Sequence, residues 1–183
     1  MEVILQIILA FLYSHLLEYI LHRYLLHNPK RKKWFKTHFA EHHKVSRKYM
    51  MIDPKYLEPK SLRGDPEIKG LLLLGVIHLP VVLIYPYAYA ALIICSLEYY
   101  WIHRKAHSDL SWARNYCPWH YDHHLAPNQN ANWGVRRPWF DYVFGTRKKY
   151  KGQKKEIIKH VIIKNKILSI TQKRKNENRP YRD

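Results

Sequence analysis

Histidine is the residue whose number and spacing suggest chemistry in this chain. Of the 13 histidines, most fall in four short clusters. Imidazole is the commonest metal ligand in proteins, and spacings of three to five residues on a helix bring rings toward one side. A closed zinc site uses about four ligands, so this larger set favours a centre for two metal ions. The clustered histidines are His22 and His27; His38, His42 and His43; His103 and His107; and His120, His123 and His124.

The spacing within the clusters predicts how the rings are shared between two ions. Histidines four residues apart on an α-helix point from one face. His43 and His123 add a neighbouring direction for a second ion. One such pair alone is more often a surface or core pair than a metal site, but four clusters together predict that all ten histidines bind metal. The pairs with four-residue spacing are His38/His42, His103/His107 and His120/His124.

The distribution of charge indicates a membrane protein. The net charge is +18 and the pI is about 9.9, which suits nucleic acid, an anionic membrane surface or an acidic protein partner. However, Lys and Arg are absent from residues 1–22 and 70–103. Long apolar segments flanked by basic ones are typical of membrane spans. We therefore expect a membrane partner and no nucleic acid.

Two segments are candidates for crossing the bilayer. Residues 3–27 are mostly apolar and long enough to cross about 30 Å of hydrocarbon at about 1.5 Å per residue. Residues 71–102 are too long for one span, and Pro86 predicts a hairpin. Its first arm, 71–85, is short and is expected either to be re-entrant or to thin the bilayer locally, and its second arm, 88–107, is long enough to span. Because basic residues normally face the cytoplasm, all four histidine clusters are expected on the cytoplasmic side.

The remaining segments predict helices at the membrane surface. Asn28 followed by Pro29 is typical of a helix start, and the helix that follows mixes aromatic, histidine and lysine residues as an interfacial helix does. Residues 46–69 predict a loop over the site, and residues 111–125 a helix on the membrane surface.

The predicted fold is therefore an all-α integral membrane protein. It has about three transmembrane or re-entrant helices, and interfacial helices carry a histidine-rich site for two metals on the cytoplasmic side. We expect residues 1–146 to form this domain and residues 147–183 to form a basic C-terminal tail.

The order and spacing of the clusters resemble the histidine boxes of the fatty acid hydroxylase/sterol desaturase superfamily. Asn132-Trp-Gly134 and the segment 139–146, Trp-Phe-Asp-Tyr-Val-Phe-Gly-Thr, resemble short elements that follow the last box in fatty acid 2-hydroxylases. The resemblance covers residues 18–146. The matching boxes read His22-Arg-Tyr-Leu-Leu-His27, His38-Phe-Ala-Glu-His42-His43, His103-Arg-Lys-Ala-His107 and His120-Tyr-Asp-His123-His124.

This resemblance implies a membrane-bound oxygenase with two iron ions held by the ten histidines. It implies that O2 and two electrons are used to hydroxylate a C–H bond of a fatty acid-like lipid. Zinc has no redox chemistry, so zinc in a purified sample would be a substitute for iron. No cytochrome b5-like segment is evident, so we expect electrons from a separate ferredoxin, cytochrome b5 or reductase.

Several other functions fit the same histidine pattern. The same two-iron centre is compatible with a desaturase, a sterol oxidase or a carotenoid hydroxylase, which product analysis separates from a hydroxylase. A cationic membrane protein that binds metal without catalysis is the non-enzyme alternative, and it predicts that loss of a clustered histidine leaves the host's lipids unchanged.

Residues outside the clusters are expected to orient the metal-binding rings. A metal-bound histidine usually donates its other ring N–H to a carboxylate or a carbonyl. Among the nearby acidic residues, Glu18 and Asp141 rank first for this role. Asn132 is expected to form a hydrogen bond within the site.

Overall fold

A computed structural model describes residues 2–58, 64–159 and 162, and the ordered elements assigned in these ranges are all helical. The chain divides into two compact units, Met1–Lys148 and Lys149–Asp183. The first unit carries every element named below. Most of the predicted basic tail, including residues 160, 161 and 163–183, lies outside the described residues.

The N-terminal helix is the longest apolar element. Helix α1 spans Glu2–Leu21 and continues without a break as a π-helix over His22–Leu26, the first π segment. Within the described residues, Glu2–Leu26 is the one helix that is both long and apolar enough to cross a membrane. This agrees with the span predicted for residues 3–27.

The predicted helix start at Asn28 and Pro29 is confirmed. The Asn28 side chain accepts a hydrogen bond from the Lys30 backbone N–H, and Pro29 occupies the first turn, where its missing N–H costs nothing. A 3-10 turn at Pro29–Arg31 leads into α2 (Lys32–Phe35), a second π segment (Lys36–His43) and α3 (Lys44–Lys48).

The segment that follows α3, residues 49–56, passes across the histidines. We call this segment the strap. Met50 and Met51 have φ angles of 52° and 78°, in the left-handed region that costs energy for residues other than glycine. A 3-10 turn at Pro54–Tyr56 follows. The prediction of a loop over the site is correct for this part, although α3 extends to Lys48.

A helical hairpin follows the strap. Helix α4 spans Pro66–Ile77 and is capped by the Asp65 side chain, which accepts from the Glu67 backbone N–H. A 3-10 segment, Leu79–Leu83, leads to α5 (Pro86–Ser108). The turn lies next to Pro86 as predicted. Of the about three transmembrane or re-entrant helices predicted from the sequence, the described residues contain one, Glu2–Leu26, that is long and apolar enough to cross a membrane. The number of spans stays a prediction.

The expectation of one surface helix over residues 111–125 is wrong. The structure has two helices, α6 (Leu110–Tyr116) and α7 (Pro118–Leu125), since Pro118 has no N–H with which to continue α6. His120, His123 and His124 of α7 are fully buried and do not lie on a surface. A short helix α8 (Trp139–Val143) completes the first unit.

Candidate metal centre

The ten clustered histidines meet in one place, where they separate into two groups. Within each group the candidate ligand atoms lie within 4.8 Å of one another, and nearly all of these residues are buried. The first histidine group is His22, His27, His38, His43 and His123, and the second is His42, His103, His107 and His124. His120 adjoins the second group, with its Nε2 3.0 Å from His107 Nε2.

The two π segments explain how the histidines divide. In a π-helix each backbone hydrogen bond joins residues that are five apart, rather than four apart as in an α-helix. Such turns are frequent at functional sites. His22 and His27 are five apart, and their ring centroids are 5.1 Å apart. His38 and His43 are also five apart, with centroids 5.0 Å apart, and belong to the same group.

This arrangement corrects the predicted pairing in the second cluster. We expected His38 and His42 to act together because four residues separate them. Instead His38 joins the first group with His43, while His42 turns to the second group. The four-residue spacing holds on the ordinary α-helices: His103 and His107 of α5 lie in one group.

The first histidine group is anchored mainly by the chain that follows α7. His22 Nδ1 donates to the Trp133 carbonyl oxygen at 2.6 Å, and His123 Nδ1 donates to the Ala131 carbonyl oxygen at 2.7 Å. His43 Nδ1 lies 2.8 Å from Gln129 Oε1. These contacts fix the orientation of three rings from one loop.

The second histidine group is anchored by two carboxylates and by the strap. His42 Nδ1 donates to Asp53 Oδ2 at 3.1 Å, and His103 Nδ1 donates to Glu67 Oε1 at 2.6 Å. His107 Nδ1 donates to the Met51 carbonyl oxygen at 2.7 Å. A carboxylate or carbonyl behind a ligand ring is the usual arrangement around a bound metal, because it fixes the tautomer and raises the basicity of the ring.

Imidazole ring nitrogens face the interior of each histidine group. In a neutral imidazole whose Nδ1 donates a proton to a carbonyl or carboxylate, Nε2 carries only a lone pair. His123 Nε2 nevertheless lies 3.0 Å from His43 Nε2, although the Nδ1 atoms of both rings face a carbonyl oxygen. Lone pairs repel at this distance unless a proton or a cation lies between them. The donor set and its geometry therefore fit a bound cation.

The second histidine group also contains buried ring nitrogens that a bound cation would satisfy. The Nε2 atoms of His42, His103 and His124 are buried and have no hydrogen-bond partner among the described residues. Buried polar atoms are almost always satisfied, because leaving one without a partner costs about 1–3 kcal/mol. Metal ions would satisfy these nitrogens.

Burial keeps these rings in the neutral form that binds metal. It lowers the pKa of the His43 imidazole from 6.5 to about 3. Burial, reinforced by neighbouring imidazoles, also lowers the pKa values of His42, His123 and His124 well below 6.5. At neutral pH these rings are therefore uncharged, and each has one ring nitrogen whose lone pair can bind a metal ion.

Two of the residues that orient the rings were not predicted from the sequence. Asp53 and Glu67 each lie next to a proline and read as turn and helix-start residues, and Asp53 does accept a hydrogen bond from the Lys55 backbone N–H. Only the folded chain shows that the strap and α4 bring them behind His42 and His103. The proline beside each of them predicts a turn or a helix start. It does not indicate contact with a histidine ring.

The predicted orienting residues Glu18, Asp141 and Asn132 act on the loop rather than on a ring in the described contacts. Glu18 accepts from the Val135 and Arg136 backbone N–H groups and from Arg136 Nε. Asp141 accepts from the Trp133 and Gly134 backbone N–H groups. Their contribution is to hold the loop whose Trp133 carbonyl orients His22.

Asn132 has a similar indirect position. Its φ angle is 61°, a conformation that asparagine tolerates better than most residues. Its side-chain oxygen accepts from the Lys148 backbone N–H at 2.8 Å, and its side-chain nitrogen donates to the Lys148 carbonyl. Asn132 thus fixes the peptides on either side of it, which belong to Ala131 and Trp133.

Two further histidines, His15 and His78, lie away from the two groups. His15 stacks on Trp139, with ring centroids 4.8 Å apart. His78 Nδ1 donates to the Leu74 carbonyl oxygen, and its Nε2 accepts from the Tyr13 hydroxyl at 2.9 Å. His160 lies outside the described residues.

Substituting Asp53 or Glu67 is expected to weaken metal binding at the second group. In Asp53→Asn and Glu67→Gln the ring keeps a neighbour but loses the negative charge that fixes its tautomer, so affinity falls by about 10–100-fold. Metal titration of the purified apoprotein measures this. Glu41→Gln is the control, because Glu41 is exposed and forms only a 4.0 Å ion pair with Lys36. Equal affinity in all three variants and the unaltered chain would contradict the assigned role.

Gly134 is the position in the loop where a side chain cannot fit. A Cβ there would overlap the Arg137 carbonyl oxygen and lie 3.2 Å from Asp141 Oδ2. Gly134→Ala is therefore expected to destabilise the first unit by about 1–3 kcal/mol and to loosen the Trp133 carbonyl behind His22. Thermal unfolding in detergent measures the loss. Gly70→Ala is the control, since nothing lies within 4 Å of its Cβ position and alanine favours the helix; equal melting temperatures for the two variants would contradict this.

An apolar cavity of about 370 Å³ opens onto both histidine groups. Its size is within the usual range for a small-molecule site. His22 and His38 of the first group and His42 and His103 of the second line one end of it. The walls away from the histidines are mostly aliphatic and come from α1, the first π segment, α4 and α5. Their lining residues include Leu17, Leu21, Leu25, Leu71, Leu74, Leu92 and Ile93.

Comparison with known proteins identifies the family. A family model described as Fatty acid hydroxylase matches residues 7–146. Searches of the curated proteins and of the solved structures found no significant match. The matched segment contains both histidine groups, the strap, the cavity and α8.

Proposed function

The chain belongs to the fatty acid hydroxylase family, and from this membership we propose that it is a membrane-bound di-iron oxygenase that hydroxylates a C–H bond of a lipid. The proposed reaction consumes O2, two electrons and two protons, and it yields the hydroxylated lipid and water. The observation that supports it best is the pair of histidine groups, members of which line the same apolar cavity.

Iron is the metal that suits this proposal. Imidazole ligands accept zinc, iron, copper and nickel, so the donor set alone leaves the metal open. Zinc has no redox chemistry and cannot take part in O2 reduction. When bound, two iron ions would supply the redox chemistry needed to reduce O2 and to oxidise an unactivated C–H bond.

The chain's own residues have three tasks in this reaction. The histidines hold the ions, and Asp53 and Glu67 hold the Nδ1 protons of His42 and His103 in place. The two groups are adjacent, with the ring centroids of His43 and His124 4.1 Å apart, so they would hold their ions next to each other. The scaffold thus fixes the reactive centre before the lipid binds.

The cavity is suited to the tail of a lipid. Aliphatic side chains from three helices line it, and burial of apolar surface stabilises binding by roughly 25 cal/mol per Å². Filling the cavity with an apolar tail removes water from the histidine end, which protects reactive species from hydrolysis and proton leakage. The substrate carbon nearest His22, His38, His42 and His103 is the proposed site of hydroxylation.

Electrons are proposed to come from a separate carrier with an acidic surface. The segment around α2 and the second π segment exposes a run of basic side chains beside the histidine groups. Complementary charge raises the association rate of such a carrier. The exposed basic residues there are Lys30, Arg31, Lys32, Lys33, Lys36, Lys44 and Lys48.

Lipid analysis of expressing cells grown under ¹⁸O2 tests the proposed reaction. The expected result is a lipid that contains one additional oxygen atom, carries the ¹⁸O label and is absent from cells with an empty vector. A product that has lost two hydrogen atoms and gained no oxygen would instead indicate a desaturase. Unchanged lipids in cells that contain iron-loaded protein and a competent electron carrier would contradict the proposal.

A further inference from the structure

Helix α8 lies against the middle of α1. The Trp139 ring stacks on His15 at 4.8 Å and meets the Phe11 ring edge-on at 5.6 Å. At the other end of α8, the Phe144 ring lies 5.0 Å from the Tyr19 ring. The segment that contains α8 therefore runs along two turns of α1, from Tyr19 toward Phe11.

The contacted part of α1 is the central part of the candidate membrane span. The span Glu2–Leu26 has 25 residues. At about 1.5 Å per residue, Tyr19 lies roughly 11 Å and Phe11 roughly 23 Å from the Leu26 end. The hydrocarbon core of a bilayer is about 30 Å thick. If α1 crosses the bilayer, α8 lies at the depth of the acyl chains.

The outer surface of α8 matches that depth. Tyr142, Val143 and Phe144 are 60%, 70% and 51% exposed, and they form one apolar patch with Trp139. Asp141, the one acidic residue of the helix, is fully buried and bonds to the loop. A helix on a water-facing surface shows the opposite arrangement, with polar residues outside and apolar residues inside.

Four of the charged residues near α8 form a network whose charges cancel. Arg136 is nearly fully buried and lies 2.7 Å from Glu18 and 3.4 Å from Glu98. Arg137 lies 3.4 Å from Glu98. These are two arginines and two glutamates, so the network carries no net charge. Ionisable groups within a membrane are expected to pair in this way, because an unpaired charge there is costly.

We propose that residues 133–146 form a re-entrant element that enters the bilayer from the side that carries the histidine groups. The apolar patch Trp139, Tyr142, Val143 and Phe144 contacts the acyl chains of phospholipids and continues the exposed apolar surface of α1. The neutral network of Glu18, Glu98, Arg136 and Arg137 anchors the element from within. This inference concerns the position of the element and does not depend on the proposed oxygenase reaction.

The position has a consequence for the histidine centre. The Trp133 carbonyl that orients His22 and the Asp141 side chain that holds Trp133 belong to this element. A bilayer that surrounds α8 would therefore stabilise the wall behind the first histidine group. A protein without its lipid would lose part of that support.

Site-directed spin labelling in liposomes tests the proposal. Val143→Cys is labelled with a nitroxide in full-length protein in phosphatidylcholine and phosphatidylglycerol vesicles, and Tyr142→Cys is a second position on the same patch. Leu9→Cys, on the exposed apolar face of α1, is the reference for hydrocarbon, and Glu41→Cys is the reference for water. Cys95 and Cys117 are buried, and labelling of the unaltered chain measures their background.

The expected result is that the labels at Val143 and Tyr142 behave like the Leu9 label. Their ratio of collision rates with O2 and with a water-soluble nickel complex should exceed that of the Glu41 label by roughly tenfold or more, because polar molecules are excluded from hydrocarbon. If both labels on the patch meet the nickel complex as readily as the Glu41 label does, the proposal is overturned. The same holds if the Leu9 label itself is open to the nickel complex.

Discussion

Replacing His123 with alanine is expected to lower the iron content from two ions per chain toward one and to reduce product formation by more than about a hundredfold. His123 belongs to the first histidine group, and the Ala131 carbonyl fixes its ring so that Nε2 faces His43. Its loss removes one ligand, so the remaining Nε2 atoms of that group no longer form a complete coordination sphere for an ion. Metal analysis of the purified variant and mass spectrometry of the lipids measure the two effects.

His107→Ala makes the corresponding change in the second histidine group. It removes the ring that the Met51 carbonyl orients and that lies beside His120. The expected result is again one ion in place of two and loss of product. His78→Ala is the control for metal content, because His78 lies outside both groups and bonds to Tyr13. Retention of both ions in His123→Ala and His107→Ala would contradict the assignment of the two groups.

Filling the cavity is expected to reduce activity strongly while leaving the metal centre intact. Leu92 of α5 lines the cavity, and a tryptophan there would occupy part of its roughly 370 Å³. Forcing a lipid tail past the larger side chain costs about 1–3 kcal/mol, so product formation falls on the order of 10–100-fold. Lipid mass spectrometry and iron analysis are carried out on the same preparation.

Leu97→Trp is the matched control for this variant. Leu97 lies on the same helix but is 65% exposed and does not line the cavity. It should keep both iron and product. Unchanged product in Leu92→Trp would show that the lipid binds elsewhere. Loss of iron in Leu92→Trp would show that the substitution acts on the centre and not on the cavity.

The elements that carry the site are predictable because their signals are local. A long apolar segment without basic residues gives α1, Asn28 with Pro29 gives a helix start, and Pro86 gives the beginning of α5. Each of these depends on the chemistry of a few neighbouring residues. The clustering of histidine also points to the right residues, all of which the fold brings together.

The division of the histidines into two groups is not predictable with the rules used for α-helices. It depends on the two π segments, which replace a four-residue repeat by a five-residue one at His22 and His38. A π-helix is disfavoured on its own and forms when the surrounding structure stabilises it. The packing of the site therefore helps to determine the local backbone conformation. A prediction from neighbouring residues in the sequence does not include this effect.

The residues behind the rings are missed for a related reason. Asp53 and Glu67 are brought to His42 and His103 by the strap and by α4, whose paths depend on tertiary packing. Glu18 and Asp141 stand out in the sequence, since one shares a helix face with His22 and the other lies in a family motif. Their observed contacts are with the backbone of the loop after α7. A carboxylate near a ligand in sequence need not lie near it in space.

The helix break at Pro118 is a smaller difference between the prediction and the structure. The aromatic and histidine residues of 111–125 suggested one surface helix, yet Pro118 begins a new helix whose histidines are completely buried. The proline signal was present in the sequence. Its consequence is that α7 can turn His120, His123 and His124 into the centre.

Mössbauer spectroscopy of the protein loaded with ⁵⁷Fe tests the central claim most directly. The two histidine groups differ in what lies behind their rings, with backbone carbonyls for the first and two carboxylates for the second. The predicted result is two iron ions per chain in two distinct ferrous signals of nearly equal area after anaerobic reduction. A single signal from one ion per chain, or iron that passes through a desalting column unbound, would contradict a two-iron histidine centre.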